Sequence, residues 1–236
     1  MSPLEHTITT GGRDFVPQAA ILFASSFTTD PVITYFLHTM PLTKRLAYLT
    51  EYFNALLTAA ALNDAKFTEI DGFKSCVTVM PPGKKADNFA TLIPAGLIGA
   101  LWNIGFGGCS RMIYEYAPMS DRCKKKGLLG QTRYYYVFFA ATHASAQGQG
   151  LCPKLIEHWQ EIATREKIPI WLEATTEKSM RVYLRCGFVV IEELRLGKGK
   201  VGEDGMPVAG KGKEELEGVP VWGMVWWPEG IKPVSK

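Results

Sequence analysis

The sequence predicts an α/β fold in a single domain spanning residues 1–236, and three observations predict it. An apolar run at residues 134–142 leads into a glycine turn at 147–153 and then an amphipathic segment at 154–167. Strand, tight turn and helix in that order form one β-turn-α unit. A second apolar run, residues 168–174, follows that helix at once, as a neighbouring strand would. Residues 65–70 and 73–80 are strand-like and meet at Asp71-Gly72, a strong hairpin signal. The chain has 236 residues, 47% of them apolar, which suits one large globular domain.

Taken in order, residues 15–27 carry apolar side chains at helical spacing. Asp30-Pro31 then starts another helix, with Asp as cap and Pro in the first turn. Residues 43–62 form the clearest long helix, with Leu46, Leu49, Phe53, Leu56, Leu57 and Ala60 on one face. The hairpin follows, and Pro81-Pro82-Gly83 ends it in a loop. Residues 94–106 and 110–126 read as two helices broken by Gly105, Gly107 and Gly108. This insertion, about residues 92–127, either walls a pocket or covers a sheet face. Beyond the β-turn-α unit and its second strand, residues 189–196 and 219–227 are strands. The segment between them, residues 197–218, is rich in Gly, Lys and Glu and reads as a long flexible loop.

Charge and cysteine usage narrow the function. A net charge of +3 is too mild to imply nucleic acid, and the lysine runs read as solvated surface. Cys76, Cys109, Cys123, Cys152 and Cys186 are widely spaced and odd in number. That pattern suggests neither a metal site nor a disulfide framework. It points instead to reduced thiols in the cytoplasm. No basic-then-apolar leader opens the chain, and no apolar run is long enough to span a bilayer, so no membrane partner is expected.

The glycine turn has a chemistry of its own. Unpaired amides at a helix start carry partial positive charge, and glycine lets an anion approach the backbone. In Gln147-Gly148-Gln149-Gly150-Leu151-Cys152 this makes an anion cradle. Downstream lies Tyr183-Leu184-Arg185-Cys186-Gly187-Phe188. Together these resemble the GNAT superfamily of N-acetyltransferases, whose turn reads Gln/Arg-x-x-Gly-x-Gly/Ala and whose helix carries a tyrosine shortly before Gly-Phe. Gln147 and Gly150 match that turn, Cys152 stands at its last small position, and Pro153 lacks one N–H common in the family. Thr176 and Ser179 stand where the family often has Asn and Ala. Residues 171–175 and 221–224 resemble the puromycin N-acetyltransferase-like branch.

The resemblance implies a GNAT fold, with a mixed, mostly antiparallel sheet flanked by helices and splayed near the cofactor. It implies acetyl-CoA as cofactor. Its pyrophosphate would lie on the amides of Gln147, Gly148, Gln149, Gly150, Leu151 and Cys152. Its pantetheine arm would pair with the backbone of Ala140, Ala141 and Thr142 like an added strand. Thr176 and Ser179 would be further cofactor contacts. Tyr183 would be the general acid for the departing thiolate. Glu173, a carboxylate between apolar residues, is either the base or the partner of a buried polar group. Glu115 is a weaker candidate for a cationic acceptor, and His143 reads as a turn residue. Cys152, at a helix N-terminus, is expected to have a lowered pKa and to be protected from alkylation by the cofactor. The activity implied is acetyl transfer to a small amine by direct attack in a ternary complex. The alternatives are a protein or peptide N-acetyltransferase and a CoA-binding module without catalysis.

Overall fold

The computed structural model describes residues 6–86, 91, 94–210 and 212–231. The chain opens with strand β1 (Ile8–Gly11), helices α1 (Val16–Ser26), α2 (Pro31–Leu37) and α3 (Leu42–Leu62), and the hairpin β2 (Lys66–Ile70) and β3 (Ser75–Met80). Next come α4 (Leu97–Ser110), a π-helical stretch at Arg111–Tyr116, and α5 (Ala117–Leu128). The β-turn-α unit is β4 (Tyr135–Thr142) and α6 (Leu151–Glu166). The chain then forms β5 (Ile170–Ala174), α7 (Glu177–Arg185), β6 (Val189–Leu196) and β7 (Val219–Trp226).

The seven strands form one sheet in the order β1-β2-β3-β4-β5-β7-β6. Among the described residues, only β4 and β5 run parallel. The expected mixed, mostly antiparallel sheet is therefore present. Strand β1 is an addition to the sequence reading. It has four residues, two of them Thr and one Gly, too few for a periodic signal.

Each face of the sheet is covered. One face packs Phe67, Trp171 and Val221 against Phe23 of α1, Phe53 of α3 and Cys123 of α5. The other packs Val137, Ile170 and Leu172 against Leu155 and Trp159 of α6. Trp171 has no exposed surface, and two glycines make its room. A Cβ on Gly127 would lie 2.5 Å from the Trp171 ring, and one on Gly223 would lie 3.0 Å from it.

Three local readings change. In α3, Leu49, Phe53, Leu57 and Ala60 are buried as expected, but Leu46 is exposed, and Arg45, Tyr48 and Tyr52 complete the inward face. Of the glycines of the insertion, Gly105 is the one that breaks the helix. Gly105, at φ 73° and ψ 167°, kinks α4, whereas the chain stays helical through Gly107 and Gly108. Gly108 serves close packing: a Cβ there would lie 2.8 Å from the Phe36 carbonyl of α2.

The segment between β6 and β7 is not a free loop. Gly199 N–H donates to Leu216 O at 2.7 Å, Gly202 N–H to Met206 O at 2.9 Å, and Gly218 N–H to Val201 O at 3.1 Å. Val201 and Leu216 are buried. Turn chemistry from scattered glycines thus replaces periodicity, which is why composition suggested flexibility. Among the described residues no single helix is long and apolar enough to cross a membrane.

Candidate active site

The sheet opens between β4 and β5. Tyr135, Tyr136 and Val137 pair with Ile170, Trp171 and Leu172, and the pairing then stops. Beyond that point β4 continues to Thr142 on its β3 side, and β5 continues to Ala174 on its β7 side. The two strands therefore diverge. The register of β4 against β3 slips at Thr78/Val79, so Phe138 is the extra residue of a bulge. A bulge adds bend and twist where the strand leaves its neighbour. Ala140, Ala141 and Thr142 lie on the diverging arm, with backbone edge facing the opening rather than β5.

The glycine turn closes one end of the opening. A short 3-10 turn at Ala144–Ala146 is capped by His143, the turn role expected of it. Gly148 (φ 80°) and Gly150 (φ 76°) take left-handed conformations, and α6 starts immediately after. Among the described residues, no acceptor bonds the amides of Gly148, Gln149, Gly150, Leu151 or Cys152. Nothing lies within 4 Å of a Cβ built on Gly148 or Gly150. Five free amides around open space, at a helix N-terminus, are groups that could hold an anion. The Gln147 side chain does not join it. It donates to Thr142 O at 3.3 Å and accepts from Lys178 at 2.7 Å, tying the end of β4 to α7.

Thr176 and Ser179 are accounted for locally. Thr176 caps α7 by accepting from Ser179 N at 3.1 Å, and Ser179 Oγ accepts from Thr176 N at 3.3 Å. This reciprocal capping box uses both hydroxyl groups at the helix start.

Cys152 corrects its expectation. Its thiol packs into the apolar layer between α6 and the sheet, and burial pushes its pKa up to about 12. Desolvation of the thiolate outweighs the helix dipole there. Tyr183, from α7, is buried in the same layer beside Phe188, with ring centroids 5.8 Å apart. Burial, and then the neighbouring Cys152 and Cys186 thiols, hold its hydroxyl well above the usual phenol range.

A polar cluster occupies the other face of the sheet. Glu173 Oε1 accepts from Trp171 Nε1 at 2.7 Å and from Ser120 of α5. Tyr136 of β4 lies against the same carboxylate, and Tyr116 lies against Tyr136. Burial first, and Glu173 second, hold both phenols well above their ordinary range. A second carboxylate, Asp30, was legible only as a helix cap. Its Oδ1 accepts from Val32 N at 3.0 Å and Ile33 N at 2.9 Å, and its Oδ2 accepts from Thr175 Oγ1 at 2.5 Å. Burial raises its pKa to about 6. Tyr116 feels the charge of both carboxylates. Glu115 is not part of this group. It bonds Tyr35 at 2.9 Å and Lys200 at 2.9 Å on the outer side of the π-helical stretch.

The opening thus has an anion cradle at one end, a buried phenol on one face and two carboxylates on the other. Such an arrangement offers a place for an anion and groups of both kinds that could exchange a proton. The acetyltransferase (GNAT) family model matches residues 88–188, from the insertion through the turn and Tyr183 to Phe188. An uncharacterized N-acetyltransferase of Schizosaccharomyces pombe is 26% identical over 185 residues, covering 78% of this chain and 74% of the relative. Among solved structures, the fold is similar to a histone acetyltransferase HPA2-related protein from Corynebacterium glutamicum. That likeness has a TM-score of 0.62 and 16% identity, covering 98% of this chain and 100% of the other. It is also similar to a polyamine N-acetyltransferase of Drosophila melanogaster (TM-score 0.59, 13% identity, 94% and 100% covered). Arylalkylamine N-acetyltransferase 2 of Aedes aegypti gives a TM-score of 0.58 at 13% identity, with 94% and 99% covered. The fold is that of the GNAT acetyltransferases, and residues 88–188 match that family's model.

Proposed function

We propose that this chain is an acetyl-CoA-dependent N-acetyltransferase that acetylates a small amine by direct attack in a ternary complex. The carrying observation is the β4–β5 opening, flanked by Tyr183 on one face and by Glu173 and Asp30 on the other. The cofactor supplies an acetyl thioester. The five amides from Gly148 to Cys152 fit its pyrophosphate, and the open edge at Ala140–Thr142 fits an extended arm.

Attack by an amine requires loss of a proton, and departure of a thiolate requires gain of one. On the carboxylate face, Glu173 is the acceptor for the amine proton, with Asp30 adding negative charge that favours a cationic substrate. On the other face, Tyr183 is protonated at neutral pH because burial disfavours its phenolate, as a general acid must be. With the cofactor bound, a backbone N–H on the diverging arm of β4 would be placed to polarise its thioester carbonyl.

Several features support a small acceptor. Helices α2 and α5 and the π-helical stretch roof the carboxylate face, with Tyr116 packed on Phe36 at 5.7 Å. Residues 171–175 and 221–224 resemble the puromycin-type branch. Two of the similar folds are named for small amines.

The test is thiol release from acetyl-CoA over a panel of small amines, aminonucleosides and peptides. Turnover with at least one small amine, and none with peptides, is expected. Turnover with peptides alone would transfer the reading to a protein acetyltransferase. Cofactor binding without any turnover would leave only a CoA-binding module.

A further inference from the structure

A charged pocket beside the insertion lies outside the β4–β5 opening. It encloses about 290 Å³ and is lined by Tyr35 and His38 of α2, by Phe106, Arg111 and Glu115, and by Lys200 after β6. Alternate residues face opposite ways. Tyr35 and Glu115 line this pocket, whereas Phe36 and Tyr116 pack together on the side of Glu173. The pocket and the carboxylate cluster therefore stand back to back across α2 and the π-helical stretch.

Its charges do not cancel. Glu115 is already satisfied, with one oxygen accepting from Tyr35 and the other from Lys200. His38 Nδ1 donates to Tyr35 O at 2.7 Å, and burial lowers its pKa, so the ring is neutral at physiological pH. Arg111 is left over. Its Nη2 donates to the Phe36 carbonyl at 2.9 Å, its guanidinium lies 5.5 Å from the Tyr35 ring centroid, and its Nε is buried without a partner. Among the described residues no carboxylate lies within salt-bridge distance of it. Glu115 acts on it only at longer range, so this half-buried guanidinium lacks a directly paired anion, which is costly, and an arriving anion offsets that cost. The π-helical stretch that carries Arg111 is itself a rare geometry found mostly at functional sites.

We propose that this pocket binds a small molecule bearing a carboxylate and a flat apolar body. Arg111 would receive the carboxylate, because its planar fork suits that group. Phe106, 81% exposed at the pocket mouth, would cover the body. A volume near the lower end of the ligand-pocket range limits the occupant to a small metabolite.

Titration calorimetry on the full chain tests this with benzoate, its neutral isostere benzamide, acetate and inorganic phosphate. Benzoate is expected to bind about tenfold or more tighter than benzamide, the effect of a charge-assisted pair. Arg111→Gln should erase that preference while thiol release from acetyl-CoA persists. Phe106→Ala should bring benzoate close to acetate, and because the ring is exposed the fold should hold. Saturating CoA should leave benzoate affinity unchanged, since the pocket is separate from the opening. Should Arg111→Gln not fold, Arg111→Lys keeps the charge, loses the fork, and should still weaken benzoate several-fold. Equal binding of benzoate and benzamide, a preference that survives without Arg111, phosphate binding as tightly as benzoate, or competition with CoA would each overturn the proposal.

Discussion

Asp30 accepts three hydrogen bonds, yet burial still lifts its carboxyl to about 6. Desolvation of the charge exceeds what its partners return. The sign of the stability effect follows. The folded state holds this proton more tightly than the unfolded chain, whose value is near 3.8. Stability from this group is complete below about pH 4 and is lost as pH rises through about 6. Relative to wild type, Asp30→Asn should therefore gain about 2–3 kcal/mol in unfolding free energy between pH 4 and pH 6.5. Denaturant titrations of both proteins across that range would read this difference, and parallel pH profiles would refute it. Tyr183 makes the complementary case. Its ring fills the layer beside Phe188, a job that Phe can do. Tyr183→Phe should therefore keep the fold and lower kcat by about 100-fold or more, with KM little changed. An unchanged kcat would show that water or another group protonates the thiolate.

At the level of elements, the cradle follows from its residues. Gly150 supplies a left-handed φ of 76° at the cap of α6, and its missing side chain leaves the amides open. Gly150→Asp places a carboxylate there. Asp tolerates the left-handed region, so the backbone cost is about 1–2 kcal/mol and the fold should hold. Acetyl-CoA affinity should fall by a few kcal/mol, the scale of several charge-assisted bonds lost and a like charge gained. Calorimetry on a folded variant with near-native affinity would place the pyrophosphate elsewhere. This element was legible because glycine and helix-start signals are local. The Asp30-Pro31 cap was legible for the same reason. The bulge at Phe138 and the π-helical stretch were not, because each depends on partners far along the chain. The second carboxylate was hidden by its own success as a cap: nothing near Asp30 in sequence announces Thr175, which lies 145 positions away. The insertion of β7 between β5 and β6 was equally silent, since strand order is set by pairing between distant segments.

Across the whole molecule, the segment from β6 to β7 joins parts that the sequence left separate. It pins α2 against the end of the sheet that bears the opening. Gly205 lies against α2, where a Cβ would sit 2.2 Å from the Pro31 carbonyl and 2.8 Å from Tyr35 N. Its φ of 80° disfavours any L side chain as well. Gly197 makes a similar approach to the Tyr35 ring, at 2.7 Å. Because α2 also carries Asp30, this packing holds the Asp30–Thr175 bond in place from outside. Gly205→Ala should cost about 2–5 kcal/mol, combining left-handed strain with a backbone clash that cannot relax by rotating a side chain. The lysine-rich stretch should then detach from α2 before the sheet unfolds. Limited trypsin digestion would read this: in the native protein Lys198, Lys200 and Lys213 should resist cleavage despite their composition, and in Gly205→Ala they should be the first sites cut. Rapid cleavage at those lysines in the unsubstituted protein would restore the flexible loop that composition suggested. It would also remove the outer support of Asp30, and with it the rigidity of the carboxylate face to which we assign the proposed selection of an amine.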